Sequence, residues 1–217
     1  MLVPKYQFYA TLLDSFAWYK RSESDGALQE FLDRVNRVES PRTDPQLRGM
    51  AFELAVEKVA VEGIVPTAPV KVHDVKCPPD IITRFATGMR HASRQVFVEA
   101  TLPTAYGPVR VYGKVDEILA DTAYDTKTTK NYLFPKYLKA WQHPVYLEAL
   151  KPMGIGRFVY RITDFEDFYE EEYFYRKEDT DRLISECAQL VECLEVNRAR
   201  ITDRKVFCLP PLEGVPA

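Results

Sequence analysis

The stretch VYGKVDEILADTAYDTKTT, residues 111–129, decides how this chain is read. Two strand-like runs, Val109 to Leu119 and Ala123 to Thr128, flank Ala120-Asp121-Thr122, and a polar turn between such runs predicts a β-hairpin. Residues two apart on a strand share a face, so Asp125 and Lys127 point the same way. If Leu119 to Thr122 form a four-residue loop, Ile118 pairs with Ala123. Counting back in that register sets Asp116 opposite Asp125, with side chains about 5 Å apart. Two such carboxylates repel: at an effective dielectric of about 20, charges ~4 Å apart cost about 4 kcal/mol. Lys127 relieves part of this, and a divalent cation would relieve far more. Oxygen ligands suit magnesium or manganese. The pattern predicts a hydrolytic metal site with a lysine aimed at the attacking water. For two Asp and one Lys alone, a charged solvent-facing strand is the better reading.

Three features outside the hairpin shift the balance. Gly113 lies three residues before Asp116, and glycine inside a strand marks the close approach of another group. Upstream, Thr43-Asp44-Pro45 predicts a helix running to about Glu62 and stopped by Gly63, with Asp44 as cap and Pro45 in the first turn. Phe52, Ala55, Val56 and Val59 give that helix an apolar stripe, and Glu53 sits at its edge. Glu57, one turn on, competes with Glu53 for the same role. Downstream, Gln142 and Tyr146 are spaced i,i+4 on a predicted helix and project from one face.

These residues resemble the RecB-type branch of the PD-(D/E)XK nuclease superfamily. Gly113 to Asp116 fits G-x-x-D, Asp125 to Thr128 fits D-x-K-T, Gln142 to Tyr146 fits Q-x-x-x-Y, and Gly49 to Glu53 fits G-x-x-x-E. Tyr9 to Phe16 is similar to the family's opening helix. The likeness covers residues from about 9 to 150, in the family's order. It implies an α/β fold (mixed α+β) with a restriction-endonuclease-like core: a central mixed sheet flanked by helices in the order α-β-β-β-α-β. It also implies magnesium- or manganese-dependent cleavage of DNA. Glu53, Asp116 and Asp125 would ligate the metal, the Thr126 carbonyl would add a ligand, and Lys127 would orient or deprotonate the water. Gln142 and Tyr146 would steady Lys127 or the scissile phosphate. DNA is the implied partner, with a single-strand annealing protein and a second copy of the chain as further candidates. The expected activity is that of a stand-alone exonuclease of recombination or repair, with a structure-selective endonuclease or nickase on the same core, or a non-catalytic DNA-binding module, as the alternatives. Some relatives hold an iron–sulfur cluster. Here Cys77, Cys187, Cys193 and Cys208 lack a C-x-x-C pair, which speaks against a cluster and for small buried thiols.

Composition sets the frame. The 217 residues carry 46% hydrophobic and 28% charged residues, which is an ordinary globular balance and excludes a disordered chain. No apolar run approaches the ~20 residues of a membrane span, and the charged start argues for a cytoplasmic protein without membrane partners. The net charge of −3 hides an asymmetry. Arg84, Arg90 and Arg94 lie in a segment without acids, as do Lys130, Lys136 and Lys139, and both segments are expected to line a DNA groove. Residues 162–175 are acidic instead. Expected helices are Thr11 to Lys20, Gly26 to Val38, Pro135 to Leu150 and Asp179 to Arg200. Further strands are Gln95 to Leu102, Arg157 to Thr163 and Asp167 to Arg176. One nuclease domain is expected over residues 1–208, with a helical part at 1–42, a catalytic core at 43–163, a strand and helix at 164–208, and a loose tail at 209–217. Trp18 and Tyr19 are expected to pack the opening helix, and His143 to sit exposed beside Gln142.

Overall fold

The computed structural model describes residues 3–209, so most of the expected tail lies outside the described residues. Its frame is a six-stranded mixed sheet of β1 (Tyr6–Tyr9), β4 (Ser93–Thr104), β5 (Gly107–Leu119), β6 (Thr122–Thr128), β7 (Arg157–Thr163) and β8 (Phe168–Phe174). A separate hairpin joins β2 (Val70–Val72) and β3 (Val75–Cys77). Helices α1 (Ala10–Arg21), α2 (Ala27–Val35), α5 (Gln142–Leu150) and α6 (Lys177–Val196) contribute to the larger apolar core with Val109, Val111, Val115, Phe158 and Tyr160 of the sheet. Helices α3 (Asp44–Glu62) and α4 (Pro79–Ala86) build a second core around Phe52, Ile82 and Phe85, on which Leu119, Tyr124 and Phe168 pack. Helices thus cover both faces of the sheet, as alternating elements around a mixed sheet require. Among the described residues no helix is long and apolar enough to cross a membrane.

β5 organises the sheet. One edge pairs antiparallel with β4 from Thr104↔Gly107 to Ser93↔Ile118, with the opposed Gln95 and Asp116 out of the ladder. The other edge is shared: β1 pairs in parallel at Val109 to Tyr112, and β6 pairs antiparallel at Glu117 to Leu119. Gly113 to Asp116 therefore has no strand beside it on that second edge. β6 continues in parallel with β7 along its whole length.

Several expectations need correcting. α5 begins at Gln142 rather than Pro135, because the backbone N–H groups of Lys136 and Tyr137 donate to the Glu171 carboxylate of β8 (2.6 and 3.0 Å) instead of entering a helical ladder. Trp141 caps α5, and its N–H donates to Asp14 of α1 at 2.8 Å. The residue at the N-cap of α3 is Thr43, not Asp44; Thr43 N–H donates to Gln46 Oε1, half of a capping box. His143 is buried, since α5 is too short and too enclosed to keep a solvent face. Cys77 and Cys187 are buried, but Cys208 is exposed. Tyr19 stacks on Phe31 inside the N-terminal pair of helices, whereas Trp18 is exposed. The strand β1, the β2–β3 hairpin and α4 were not expected.

Candidate active site

The hairpin keeps the expected register, but Leu119 also pairs with Thr122, so the loop is Ala120-Asp121 rather than the four residues expected. Ile118 lies beside Ala123 and Glu117 beside Tyr124. There the ladder ends, one step short of the two aspartates. Beyond it, Thr126 N–H donates to Asp116 Oδ2 (3.2 Å), so a backbone donor that would have closed the ladder serves a carboxylate. The strand also slips out of strict alternation here. Val115 and Ile118 pack in the same core although three residues apart, while Glu117 turns to the other face and meets Arg94 (3.7 Å) and Arg161 (3.8 Å). Gln95, opposite the irregularity, has φ 51° and donates to Asp116 Oδ1 at 3.3 Å. A local defect at Asp116 thus aims its side chain into the gap left on β5's open edge.

Asp125 is 1% exposed. Its Oδ2 lies 2.6 Å from Lys127 Nζ, in ion-pair contact but without hydrogen-bond geometry, and its Oδ1 accepts from Gln142 Nε2. Gln142 is the first residue of α5, where the helix dipole favours a negative group. Burial pushes the Asp125 carboxyl up to about 6 against the pull of Lys127. Burial alone would lower the Lys127 ammonium, but the Asp125 charge outweighs it and holds it above its ordinary value. Lys127 is therefore a protonated donor at neutral pH.

Both motif glycines have a steric reason. A Cβ on Gly113 would meet the Tyr146 ring at 2.5 Å, so the close approach is by the tyrosine that packs over the unpaired strand edge. A Cβ on Gly49 would meet Thr128 Oγ1 at 3.3 Å, so α3 crosses the end of β6 at short range. That crossing brings Glu53 to the cleft, a cavity of about 80 Å³ also lined by Val56, Glu57, Gln95, Asp116 and Thr126. Burial, then Asp116 and Asp125, push the Glu53 carboxyl up to about 7, although solvent still reaches the side chain. Glu57, the competitor, lines the same cleft.

The donor set fits a hard cation. Glu53, Asp116 and Asp125 offer oxygen, and one lysine, 2.6 Å from Asp125 Oδ2, is a modest counter-charge. Among the described residues, no three His, Cys, Asp or Glu side chains converge closely enough to cage an ion by themselves. Magnesium is usually held by one or two carboxylates with waters and substrate phosphate, so such a cage is not required.

The basic residues divide. Lys130, Lys136 and Lys139 are exposed on the loop after the site strand. Arg94 is taken up by Glu117 and by the Met89 and Ala92 carbonyls. Arg84 lies over the Phe168 ring in a separate depression near Leu119 and Tyr124, and Arg90 is exposed after α4. Arg94 also lines the cleft with Glu53 and Asp116, whereas Arg84 lines the second depression. Sequence reasoning also missed Asp14, which anchors α5 and attracts Lys127 electrostatically, and Tyr160, whose ring lies 5.9 Å from Lys127 Nζ. No motif spacing marks either one. Tyr146 touches Gln142, which donates to Asp125, the partner of Lys127.

No family model and no curated protein sequence matches this chain. Among solved structures it is similar to the exonuclease LHK-Exo in complex with dAMP, at 10% identity over 87% of this chain and 88% of that one, with a TM-score of 0.50. It is also similar to SSO0001, at 14% identity over 88% of this chain and 79% of that one, again with a TM-score of 0.50. The fold is like that of these two structures. At these identities the likeness carries the fold, and the chemistry rests on the residues in the cleft.

Proposed function

We propose that this chain is a divalent-metal-dependent deoxyribonuclease of the PD-(D/E)XK superfamily, RecB-type branch, working as an exonuclease in DNA recombination or repair. The observation that carries the reading is the buried Asp125–Lys127 pair, gripped by Gln142 at the edge of a cleft shared with Asp116 and Glu53. The similarity to LHK-Exo, crystallised with a nucleotide, supports the choice of an exonuclease acting on DNA. Glu53, Asp116, Asp125 and the Thr126 carbonyl would hold magnesium or manganese, which supplies charge neutralisation at the phosphate and a more acidic water. Lys127, kept protonated by Asp125, donates to the attacking water and orients it for in-line displacement. Asp125 and Gln142 fix the lysine's position, and Tyr146 backs Gln142. Lys130, Lys136 and Lys139 supply phosphate contacts beside the cleft.

The test is digestion of end-labelled linear DNA and covalently closed circular DNA with magnesium, with and without excess chelator. Loss of linear DNA, sparing of circles and full arrest by chelator are expected. Cutting of circles would make the protein an endonuclease, and cleavage unchanged in chelator would remove the metal from the reading.

A further inference from the structure

The loop of residues 129–141 leaves the site strand at Thr128 and returns to the first residue of α5, so both of its ends are attached to the candidate active site. Its base is rigidly held. Glu171, 1% exposed, accepts from the N–H groups of Lys136 and Tyr137 and from the Tyr173 hydroxyl at 2.6 Å. Tyr132 stacks on Tyr169 (4.4 Å between ring centres), and Tyr137 stacks on Tyr160 (4.6 Å), the ring beside Lys127. Its tip is the opposite. Leu133 is 84% exposed and Phe134 74%, two large apolar side chains held out into solvent. Lys130 and Lys139 are exposed in the same loop, Lys136 Nζ donates to Thr129 Oγ1 and to the Asn131 carbonyl, and no acid occurs between Thr126 and Leu147. Apolar side chains left exposed on an anchored loop mark an interaction site.

We infer that this loop engages unpaired bases at the end of a DNA substrate, with Phe134 and Leu133 against base faces and Lys130 and Lys139 on the flanking phosphates. The occupant follows from the charge, since an apolar tip on a loop with exposed lysines and no acids complements a polyanion whose bases are apolar on their faces. A duplex end hides those faces in the stack, and an apolar side chain that enters a base step takes the place of the lost neighbour. The anchor to Glu171 keeps the tip at a fixed offset from Lys127, so a strand held at the tip leads its phosphates toward the cleft. The inference rests on the nuclease reading for its substrate but not on cleavage for its test.

The experiment measures binding of the full chain in calcium, or in chelator without metal, to two DNA duplexes. One is blunt and fully paired, and the other has the last few bases of one end mismatched. The parent protein is expected to bind the mismatched end more tightly. Leu133→Ser combined with Phe134→Ser should lose that preference, on the order of tenfold in affinity for the mismatched end, while affinity for the blunt duplex stays close to parental. The single Phe134→Ser variant should lose part of it. Both positions are solvent-exposed, so thermal melting of the variants should match the parent and show that the fold is intact. A parental preference that survives the double substitution would overturn the inference, as would a parent that binds both duplexes equally. Binding of the parent, but not the variant, to lipid vesicles or to a second copy, with DNA preference unchanged, would overturn it in favour of that other occupant. A parent that binds neither duplex would instead count against the DNA reading of the site.

Discussion

The two edges of β5 differ in how they are closed. Along β4 the ladder runs from Gly107 to Ile118 with a single interruption. Along the other edge, β1 and β6 each take a short stretch and leave Gly113 to Asp116 uncovered. The closed edge spends its backbone groups on strand pairing. At the open edge the Thr126 N–H goes to the Asp116 carboxylate, and the Tyr146 ring lies against the bare strand at Gly113. A cleft with polar groups aimed into it forms where regular pairing stops, and the regular edge supplies the rigidity that holds it. Function is expected to be sensitive at the open edge and tolerant at the closed one.

The largest expected effect breaks the comparison at its centre. Lys127→Ala should lower DNA turnover by about 10²–10⁴-fold, the range for lost groups that act on a reacting water. It should leave cation affinity equal or slightly higher, because a positive charge has gone. Asp125→Ala should lose cation affinity and turnover together. Paired calorimetric titration and turnover on both variants make the check. Phe97→Ala, on β4 and already 54% exposed, is the closed-edge control and should cut at a near-parental rate. A Lys127→Ala protein as active as the parent would leave the Asp-x-Lys pair a structural ion pair only.

The next effect contrasts a sealed group with an open one. Burial lowers the His143 imidazole from 6.5 to about 4; its ring stacks on Tyr173 at 4.0 Å and its Nδ1 lies 3.2 Å from the Tyr160 hydroxyl. The unfolded chain then binds the proton more readily, so stability is complete above pH 6.5 and falls as the pH drops toward 4. The loss is about 3 kcal/mol at most. Glu53 has the opposite sign. Its carboxyl is raised from 4.5 to about 7, so the metal-free protein should lose stability as the pH rises through that window, by less because solvent reaches Glu53. Denaturant titrations between pH 4 and 8 on the parent, His143→Gln and Glu53→Gln should separate the two. His143→Gln should flatten the acid limb and Glu53→Gln the neutral one.

Much of the open edge was legible because it follows from counting. The Ile118–Ala123 pairing comes from a register that the expected four-residue loop and the observed two-residue loop share, and the Gly49–Glu53 and Gln142–Tyr146 spacings come from helical period. The splay beyond Glu117 was not legible, since it depends on a strand irregularity at Asp116 and on Gln95 in a left-handed conformation, neither of which has a composition signal. The expected helix from Pro135 failed for a tertiary reason. Glu171, 35 residues from Lys136, takes the N–H groups that a helix would have needed. β1 is a four-residue strand defined by its parallel partner, and Asp14 looks in sequence like any polar residue of a helix. Charge runs report exposure rather than partners, and Arg94 shows how a carboxylate on the neighbouring strand can absorb such a charge.

Smaller effects are expected at the glycines that let the elements approach. Gly113→Ala places a methyl 2.5 Å from a ring carbon of Tyr146, and the strand backbone cannot retreat without disturbing β4. Overpacking of this kind costs about 1–3 kcal/mol. Tyr146 must move, and Gln142 with it, so turnover should fall as well. Combining Gly113→Ala with Tyr146→Ala should cost less than the sum of the two single changes, read by chemical denaturation in a double-mutant cycle.

Gly49→Ala is the finer probe, because its two consequences have opposite signs. Alanine inside a helix is better than glycine by roughly 0.5–1 kcal/mol. The new methyl would sit 3.3 Å from Thr128 Oγ1, a contact that must open by a few tenths of an ångström. The melting temperature should therefore change little or rise slightly. The displacement, however, falls on the segment of α3 one turn before Glu53, and the carboxylate should move away from Asp116 and Asp125. Turnover is then expected to drop several-fold at unchanged stability, with the larger part of the loss at low magnesium, where the site's own oxygens matter most. Thr128→Ala removes the opposing oxygen and should restore turnover in the double variant without altering the helix gain. If Gly49→Ala is both more stable and fully active, the close crossing of α3 over β6 is a packing convenience, and Glu53 is not placed by it.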